Sequence, residues 1–345
     1  LKLMAERKAS DLFFTSNSPA KIKIEGVIYS VNKQVLSAEL VRDIAHSLMS
    51  AEQLEHFQSE LEIDFAISEP GVGRFRAAVF HQRGYPALVL RYISVDTPKL
   101  EQLGLPDMLR ELAMLKRGLV LMVGATGAGK STTLAAMINH RNENCSDHIL
   151  TIEDPIEFLH QNRSSIVNQR EVGLDTRTFA KALRASMRAA PDVILIGEIR
   201  DRETMEAAIT LAGTGHLCIA TLHANNCAET LDRVINMFPR DQHAQIFLDL
   251  SQYLRAIVSQ RLVRGRNSKL CAAVEVMLNT PYIQDLIKKG DVIGIKEAMF
   301  ASNERGIQNY DIALLNLYKE GRIDIEEALN NADSRSNLET RINFG

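Results

Sequence analysis

Residues 124–131 read Gly-Ala-Thr-Gly-Ala-Gly-Lys-Ser, a complete G-x-x-x-x-G-K-[ST] pattern. It restricts the fold more than any other stretch of the chain, because it works only where a buried strand passes directly into a helix. Both flanks comply. Leu-Val-Leu-Met-Val precedes it and Thr-Thr-Leu-Ala-Ala-Met-Ile-Asn-His follows it. Glycines let backbone N–H groups converge on phosphate oxygens, and the helix N-terminus adds partial positive charge. Gly124, Ala125, Thr126, Gly127, Ala128 and Gly129 therefore form the cradle of a nucleoside triphosphate. Lys130 can neutralise the β- and γ-phosphate oxygens, and Ser131 offers a hydroxyl to Mg²⁺.

A chain of 345 residues is long enough for about two domains. Forty Lys plus Arg against 43 Asp plus Glu leave a net charge of −3. Such a balance argues against binding nucleic acid or an anionic membrane through bulk charge. No apolar run approaches the ~18 residues of a membrane-spanning helix, and residues 1–14 lack the uninterrupted apolar segment of a signal peptide. The chain opens on Leu1 rather than Met, which leaves room for residues before it. Cys145, Cys218, Cys227 and Cys271 form no C-x-x-C pair, so reduced thiols in the cytosol fit better than a disulfide framework or a structural zinc.

The alternation of apolar and polar residues changes character near 94–107. Before it, short strands are expected at 11–14, 21–24, 27–29, 64–67, 74–80 and 87–93, with turns at 25–26 and 84–86. Ser37 caps an expected helix over 38–49 that presents Leu40, Ile44, Leu48 and Met49 on one face. These elements make a small α+β domain over 1–93. Residues 94–107 contain Pro98, Gly104 and Pro106 and read as a linker. From 108 to 345 strands alternate with longer helices, the mark of a parallel sheet in an α/β domain. Strands are expected at 118–123, 148–153, 192–196, 217–221 and 270–277. Helices are expected at 130–140, 178–188, 202–212, 229–236 and 242–259, the last carrying Ile246, Leu250, Leu254, Ile257 and Val258 at helical spacing. Short helices at 281–288, 310–319 and 324–330 lead into a polar tail.

Three further segments carry chemistry. Val193-Ile-Leu-Ile-Gly-Glu198 is an apolar strand ending in a carboxylate, with Gly197 where P-loop enzymes usually have an Mg²⁺-holding Asp. Thr151-Ile-Glu-Asp-Pro-Ile-Glu157 gathers Glu153, Asp154 and Glu157 around a proline. Gly215-His-Leu-Cys-Ile-Ala-Thr-Leu-His223 puts His216 and His223 at the two ends of a strand. Taken singly, Glu198 also reads as a solvated loop carboxylate, the acidic cluster as a chain exit from the sheet, and His216 as a locally bonded structural histidine. A GTPase is not indicated: the Asn32-Lys33 pair lacks the Asp of N-K-x-D and precedes the P-loop.

Together, GATGAGKST, TIEDPIEF, ILIGEIRD and TGHLCIATLHANN resemble the Walker A motif, Asp box, atypical Walker B motif and His box of the type II/type IV secretion ATPase superfamily. Within it the chain is similar to the type IV pilus retraction ATPases, the PilT/PilU branch, from its ASDLFF start onward. Gly197 is normal for that superfamily. The resemblance implies a RecA-like P-loop core, a smaller N-terminal PAS-like domain, and ATP with Mg²⁺ as cofactors. It implies that Thr132 flanks the α- and β-phosphates, that Glu157 deprotonates the attacking water with Glu153 as competitor, and that Glu198 supports Mg²⁺ or the water. His216 and His223 would contact the γ-phosphate side. Arg76 and Arg91 would reach the nucleotide of a neighbouring subunit, whereas Arg74 reads as solvated. Arg177, Lys181, Arg184 and Arg188 share the spacing of one helix face, either solvated or at a subunit contact.

The resemblance further implies a homo-oligomeric, hexameric ring on the cytoplasmic side of the inner membrane, reaching the membrane only through partners such as the pilus platform protein. The retraction branch carries an A-I-R-N-L-I-R-E-like helix near its C-terminus. Here Pro281-Tyr-Ile-Gln-Asp-Leu-Ile-Lys-Lys289 has Gln284 and Asp285 in place of Arg and Asn. That points to the PilU side of the branch and to work alongside a paralogous retraction ATPase. Assembly and type II secretion ATPases carry a tetracysteine zinc module, for which this chain has no C-x-x-C pair. The rival readings are a nucleotide-bound adaptor to a second motor and a nucleic-acid translocase. No nucleic-acid partner is expected.

Overall fold

The computed structural model describes residues 1–24, 26–93, 97–267, 269–302 and 304–344. The chain forms two compact units, Leu1–Asp96 with Pro155–Leu159, and Thr97–Asp154 with His160–Gly345. Glu25 of the expected first turn and residues 94–96 of the expected linker lie outside the described residues.

In the first unit six strands form one antiparallel sheet: β1 (Asp11–Phe14), β2 (Pro19–Ile24), β3 (Val27–Val35), β4 (Glu62–Glu69), β5 (Gly73–Gln82) and β6 (Tyr85–Ile93). Their order is β3-β2-β1-β6-β5-β4. Between β5 and β6 the turn is Arg83-Gly84, both left-handed at φ 50° and 81°, the geometry that closes a two-residue hairpin. Tyr85 and Pro86, expected in that turn, already belong to β6. Ser37 caps the helix Ala38–Ser47 by accepting from Leu40 N–H at 3.1 Å. Of the expected face, Ile44, Leu48 and Met49 pack against the core beside buried Ala45, whereas Leu40 is exposed and Val41 is buried in its place. A second helix, Ala51–Glu60, was not legible in the spacing, since Phe57 is its one buried residue.

The second unit holds seven strands: β7 (Gly118–Val123), β8 (His148–Glu153), β9 (Ile166–Glu171), β10 (Val193–Ile196), β11 (Leu217–Leu222), β12 (Leu254–Arg264) and β13 (Leu270–Leu278). Their order is β13-β12-β7-β11-β10-β8-β9. Every pairing is parallel except β12 with β13. All six residues of β7 and of β11 are buried, the continuous apolar pattern of strands covered on both faces. Helices Lys130–Asn144, Phe179–Ser186, Arg202–Gly213 and Cys227–Ile235 complete the α/β core.

Two expectations are corrected here. The helix expected over 242–259 ends at Tyr253, and the next residue starts β12. Leu254, Ile257 and Val258 are buried within the sheet between β7 and β13. An unbroken apolar run fits either periodicity, and its two strand partners decide the outcome. The expected polar tail is a helix, Arg335–Phe344, pinned by fully buried Leu338 in a cluster with Tyr310, Leu314 and Ala328. Among the described residues no helix is long and apolar enough to cross a membrane.

Candidate active site

In a parallel sheet, ligands bind beyond the carboxyl ends of the strands. Four neighbouring strands, β7, β11, β10 and β8, end here in the segments singled out from the sequence. The P-loop follows β7, His223 follows β11, Glu198 follows β10 by two residues, and Glu153 is the last residue of β8.

Three glycines give the P-loop its path, with φ of +145° at Gly124, +80° at Gly127 and +83° at Gly129. The first two turns of the following helix carry Lys130, Ser131, Thr132 and Thr133. Lys130 Nζ donates to the carbonyls of Gly124 at 2.8 Å and Ala125 at 3.0 Å, which lays its ammonium along the loop. Ala125, Thr126 and Gly127 are exposed, whereas Ala128 is buried. The helix N-terminus and the charged ammonium make this a site for a polyanion.

Beside it, Glu198 is held from two sides. His223 Nε2 lies 2.9 Å from Oε1, and Arg200 donates to Oε2 at 2.8 Å while reaching Asp154 at 3.5 Å. A side chain on the residue before Glu198 would be tightly placed. A Cβ at Gly197 would stand 3.1 Å from Ile152 O and 3.1 Å from Glu153 Cα. Gly197 N–H donates to Ile152 O at 2.7 Å, and Thr221 Oγ1 donates to the Gly197 carbonyl. The backbones of β8, β10 and β11 are thus drawn together where their carboxylates emerge.

Glu153 accepts from Thr151 Oγ1 at 2.6 Å and from Gln169 Nε2 at 3.1 Å. Gln169 Oε1 in turn accepts from His160 N–H at 2.8 Å. Burial lowers the His160 imidazole to about 4, so it stays neutral. Glu157, in the segment Pro155–Leu159, is grouped with the first unit and is exposed.

His216 stands at the opposite end of β11, since Leu217 pairs with Gly118 and Leu222 with Val123. Its Nδ1 is 3.1 Å from Leu211 O and 3.2 Å from Thr214 Oγ1, a local arrangement. Arg76 and Arg91 are directly opposite one another across β5 and β6. Arg76 pairs with Asp64 at 2.7 Å and Arg91 with Asp11 at 2.9 Å. The basic stripe does not share one helix: Arg177 precedes the cap Thr178, and Arg188 follows the end of Phe179–Ser186. Arg184 pairs with Glu203.

Two participants were missed from the sequence. Arg200 stands within the quoted ILIGEIRD, but its value depends on Asp154 being near, which spacing does not give. Gln260 in β12 reaches the P-loop, with Nε2 donating to Ala128 O at 2.7 Å and Oε1 accepting from Thr133 Oγ1 at 2.8 Å. A lone Gln in an apolar run carries no motif.

A phosphate loop at the end of an inner strand, with carboxylates on the neighbouring strand ends, defines a RecA-like P-loop nucleotide hydrolase. Comparison with known proteins narrows this. The chain matches the Type II/IV secretion system protein family over residues 4–342. It is 50% identical over 346 residues to the type IV pilus ATPase PilU of Pseudomonas aeruginosa, covering all of this chain and 91% of that protein. Identity to the type IV pilus retractation ATPase PilT of the same organism is 39% over 338 residues, 98% of each chain. Its fold superposes on the crystal structure of the pilus retraction motor PilT with bound ADP at a TM-score of 0.90, with 40% identity, 98% of this chain and 97% of that one covered. The chain belongs to the Type II/IV secretion system protein family, as an ATPase of the PilT/PilU type.

Proposed function

We propose that this chain is a ring-forming ATPase that powers type IV pilus retraction together with a paralogous retraction motor. The observation that carries the reading is the convergence of Lys130, Glu198, His223 and Glu153 at the ends of four adjacent strands. Gly124 to Thr132 would hold the phosphates of ATP. Ser131 and Glu198 offer oxygen donors, which suit Mg²⁺. Among the described residues no group of three His, Cys, Asp or Glu could hold a metal, and Mg²⁺ in such sites relies on phosphate oxygens and water for its remaining ligands. When bound, Mg²⁺ would neutralise charge on the β- and γ-phosphates.

Glu157 is our choice for the residue that activates water, because Glu153 is already engaged by Thr151 of its own strand and by Gln169 of β9. Glu198 would orient that water or the metal, with His223 and Arg200 fixing its carboxylate. We place the ring, a homo-hexamer, in the cytoplasm at the inner membrane, held there by the pilus platform protein. The greater identity to PilU than to PilT supports the paired role.

Cells provide the test. With this gene as the sole retraction ATPase, pili should extend and fail to retract under load. With a PilT-type partner present, retraction should depend on intact Lys130 here. Full retraction by this ATPase alone would overturn the paired role, and no ATP hydrolysis by the purified chain would overturn the catalytic one.

A further inference from the structure

Gln260 is a polar side chain inside the sheet, 2% exposed, and both ends of its amide are bonded to the P-loop region. Nε2 donates to Ala128 O, and Oε1 accepts from Thr133 Oγ1. Its backbone lies just as close. A Cβ at Gly124 would come within 2.4 Å of Gln260 O, and one at Gly129 within 2.8 Å of Gln260 Nε2. The first and last glycines of the G-x-x-x-x-G-K motif are therefore both shaped around this one residue. The register explains the proximity: Ser259 pairs with Val123, so Gln260 stands beside the residue that opens the loop.

The consequence follows from peptide planarity. In a trans peptide the C=O and the next N–H point in opposite directions. Drawing the Ala128 carbonyl into the sheet turns the Gly129 N–H outward, to the side from which a phosphate approaches. The Ala128 carbonyl can only accept, which fixes which end of the amide faces it, and Thr133, buried one turn into the helix, satisfies the other end. A buried amide left without partners is costly, so the three groups hold one another in a single arrangement.

We infer that Gln260 is a positioning residue for nucleotide binding, holding the Ala128–Gly129 peptide with its N–H toward the phosphates of a nucleoside di- or triphosphate. The inference rests on the phosphate role proposed above for Gly124–Ser131. It concerns how the loop is kept in shape, not which group performs hydrolysis.

The test uses the full chain and ADP. Gln260→Met keeps the volume and removes both hydrogen bonds. The Kd for ADP and the KM for ATP should each rise about tenfold, while kcat stays within about threefold, since the cradle binds ground and transition states alike. Thr133→Val, which leaves the Ala128 bond in place, should raise Kd less. Val263→Ala, a core truncation in the same strand, should lower the Tm and leave Kd unchanged. Should Gln260→Met not fold, Gln260→Glu retains the acceptor for Thr133 and turns an oxygen toward Ala128 O, with the same expected rise in Kd.

A folded Gln260 variant binding ADP within twofold of wild type overturns the inference. So does an equal rise in Val263→Ala, which would mean general loosening of the sheet. Lys130→Ala separates the two levels. If it binds ADP normally, the P-loop reading itself fails; if it loses ADP while Gln260→Met keeps it, only the Gln260 inference falls.

Discussion

At position 197 the backbone of β8 stands where a side chain would go, 3.1 Å from the place of a Cβ. An Asp there would have to push Ile152 and Glu153 aside, separating the strand ends that carry the acidic groups. The carboxylate of this segment stands one residue on, at Glu198, whose two oxygens are bonded separately by His223 and Arg200. In the function proposed above, Glu198 acts in the reaction rather than in affinity. Glu198→Gln should therefore keep ADP binding within about threefold and lower kcat by roughly 10²-fold or more; ADP titration and single-turnover hydrolysis check the two halves. Glu157→Gln should lower kcat by a similar factor at unchanged ATP affinity. If Glu153→Gln proves far more damaging than Glu157→Gln, the base must be reassigned to Glu153.

Among the elements, β12 and β13 show how a sheet edge governs stability as well as site geometry. Glu275 on β13 is 6% exposed and accepts from Cys227 N–H at 2.7 Å. Burial raises its pKa from 4.5 to about 7, the hydrogen bond from Cys227 opposing the shift. Between those values the unfolded chain has lost this proton and the native chain retains it, so the contribution of Glu275 to stability falls as pH rises through that window and stays low above it. Glu275→Gln is uncharged throughout. Its stability relative to wild type should climb from about pH 4.5 to about pH 7 and then level off, at a gain of a few kcal/mol, and its Tm relative to wild type should rise in step; thermal melts across that range decide it. A constant difference at all pH values would count against the buried-carboxylate account. The same edge marks the limit of what the sequence reveals. β7 and β8 were legible to the residue, because strands covered on both faces read as short apolar runs between turn signals. β12 was not, because helix His243–Tyr253 joins it without a loop and the apolar residues continue across the junction. β9 escaped notice for the opposite reason: Ile166-Val-Asn-Gln-Arg-Glu171 is largely polar, as an edge strand can be. The P-loop, Glu198 and His223 were identifiable from motifs, whereas Gln260 and Arg200 act through neighbours that only the fold supplies.

For the whole molecule, the division of labour is that Lys130, Glu198 and His223 belong to one unit and Arg76, Arg91 and Glu157 to the other. The ion pair of Arg76 with Asp64 is solvent-exposed and so worth little, which leaves that guanidinium available to a better anion. If the arginines serve a neighbouring subunit's nucleotide, mixing Arg91→Ala subunits with Glu157→Gln subunits should restore part of the ATPase rate that each lacks alone, since a cation supplied in trans can contribute 10³-fold or more. No recovery in verified mixed rings would count against the trans assignment. The strand order β12-β7-β11 has one more consequence, and it concerns the birth of the protein. β7 is complete once Val123 is made, yet its partner β12 ends at Arg264, about 140 residues later. At ~5–20 residues per second a ribosome needs on the order of ten seconds to cover that distance. For most of that interval both flanks of β7 are unpaired, and after β11 is complete at Leu222 the flank that takes β12 stays open. The contacts of Gln260 to Ala128 and Thr133 can form only once β12 has been made, so the loop takes its arrangement in the finished sheet late in synthesis.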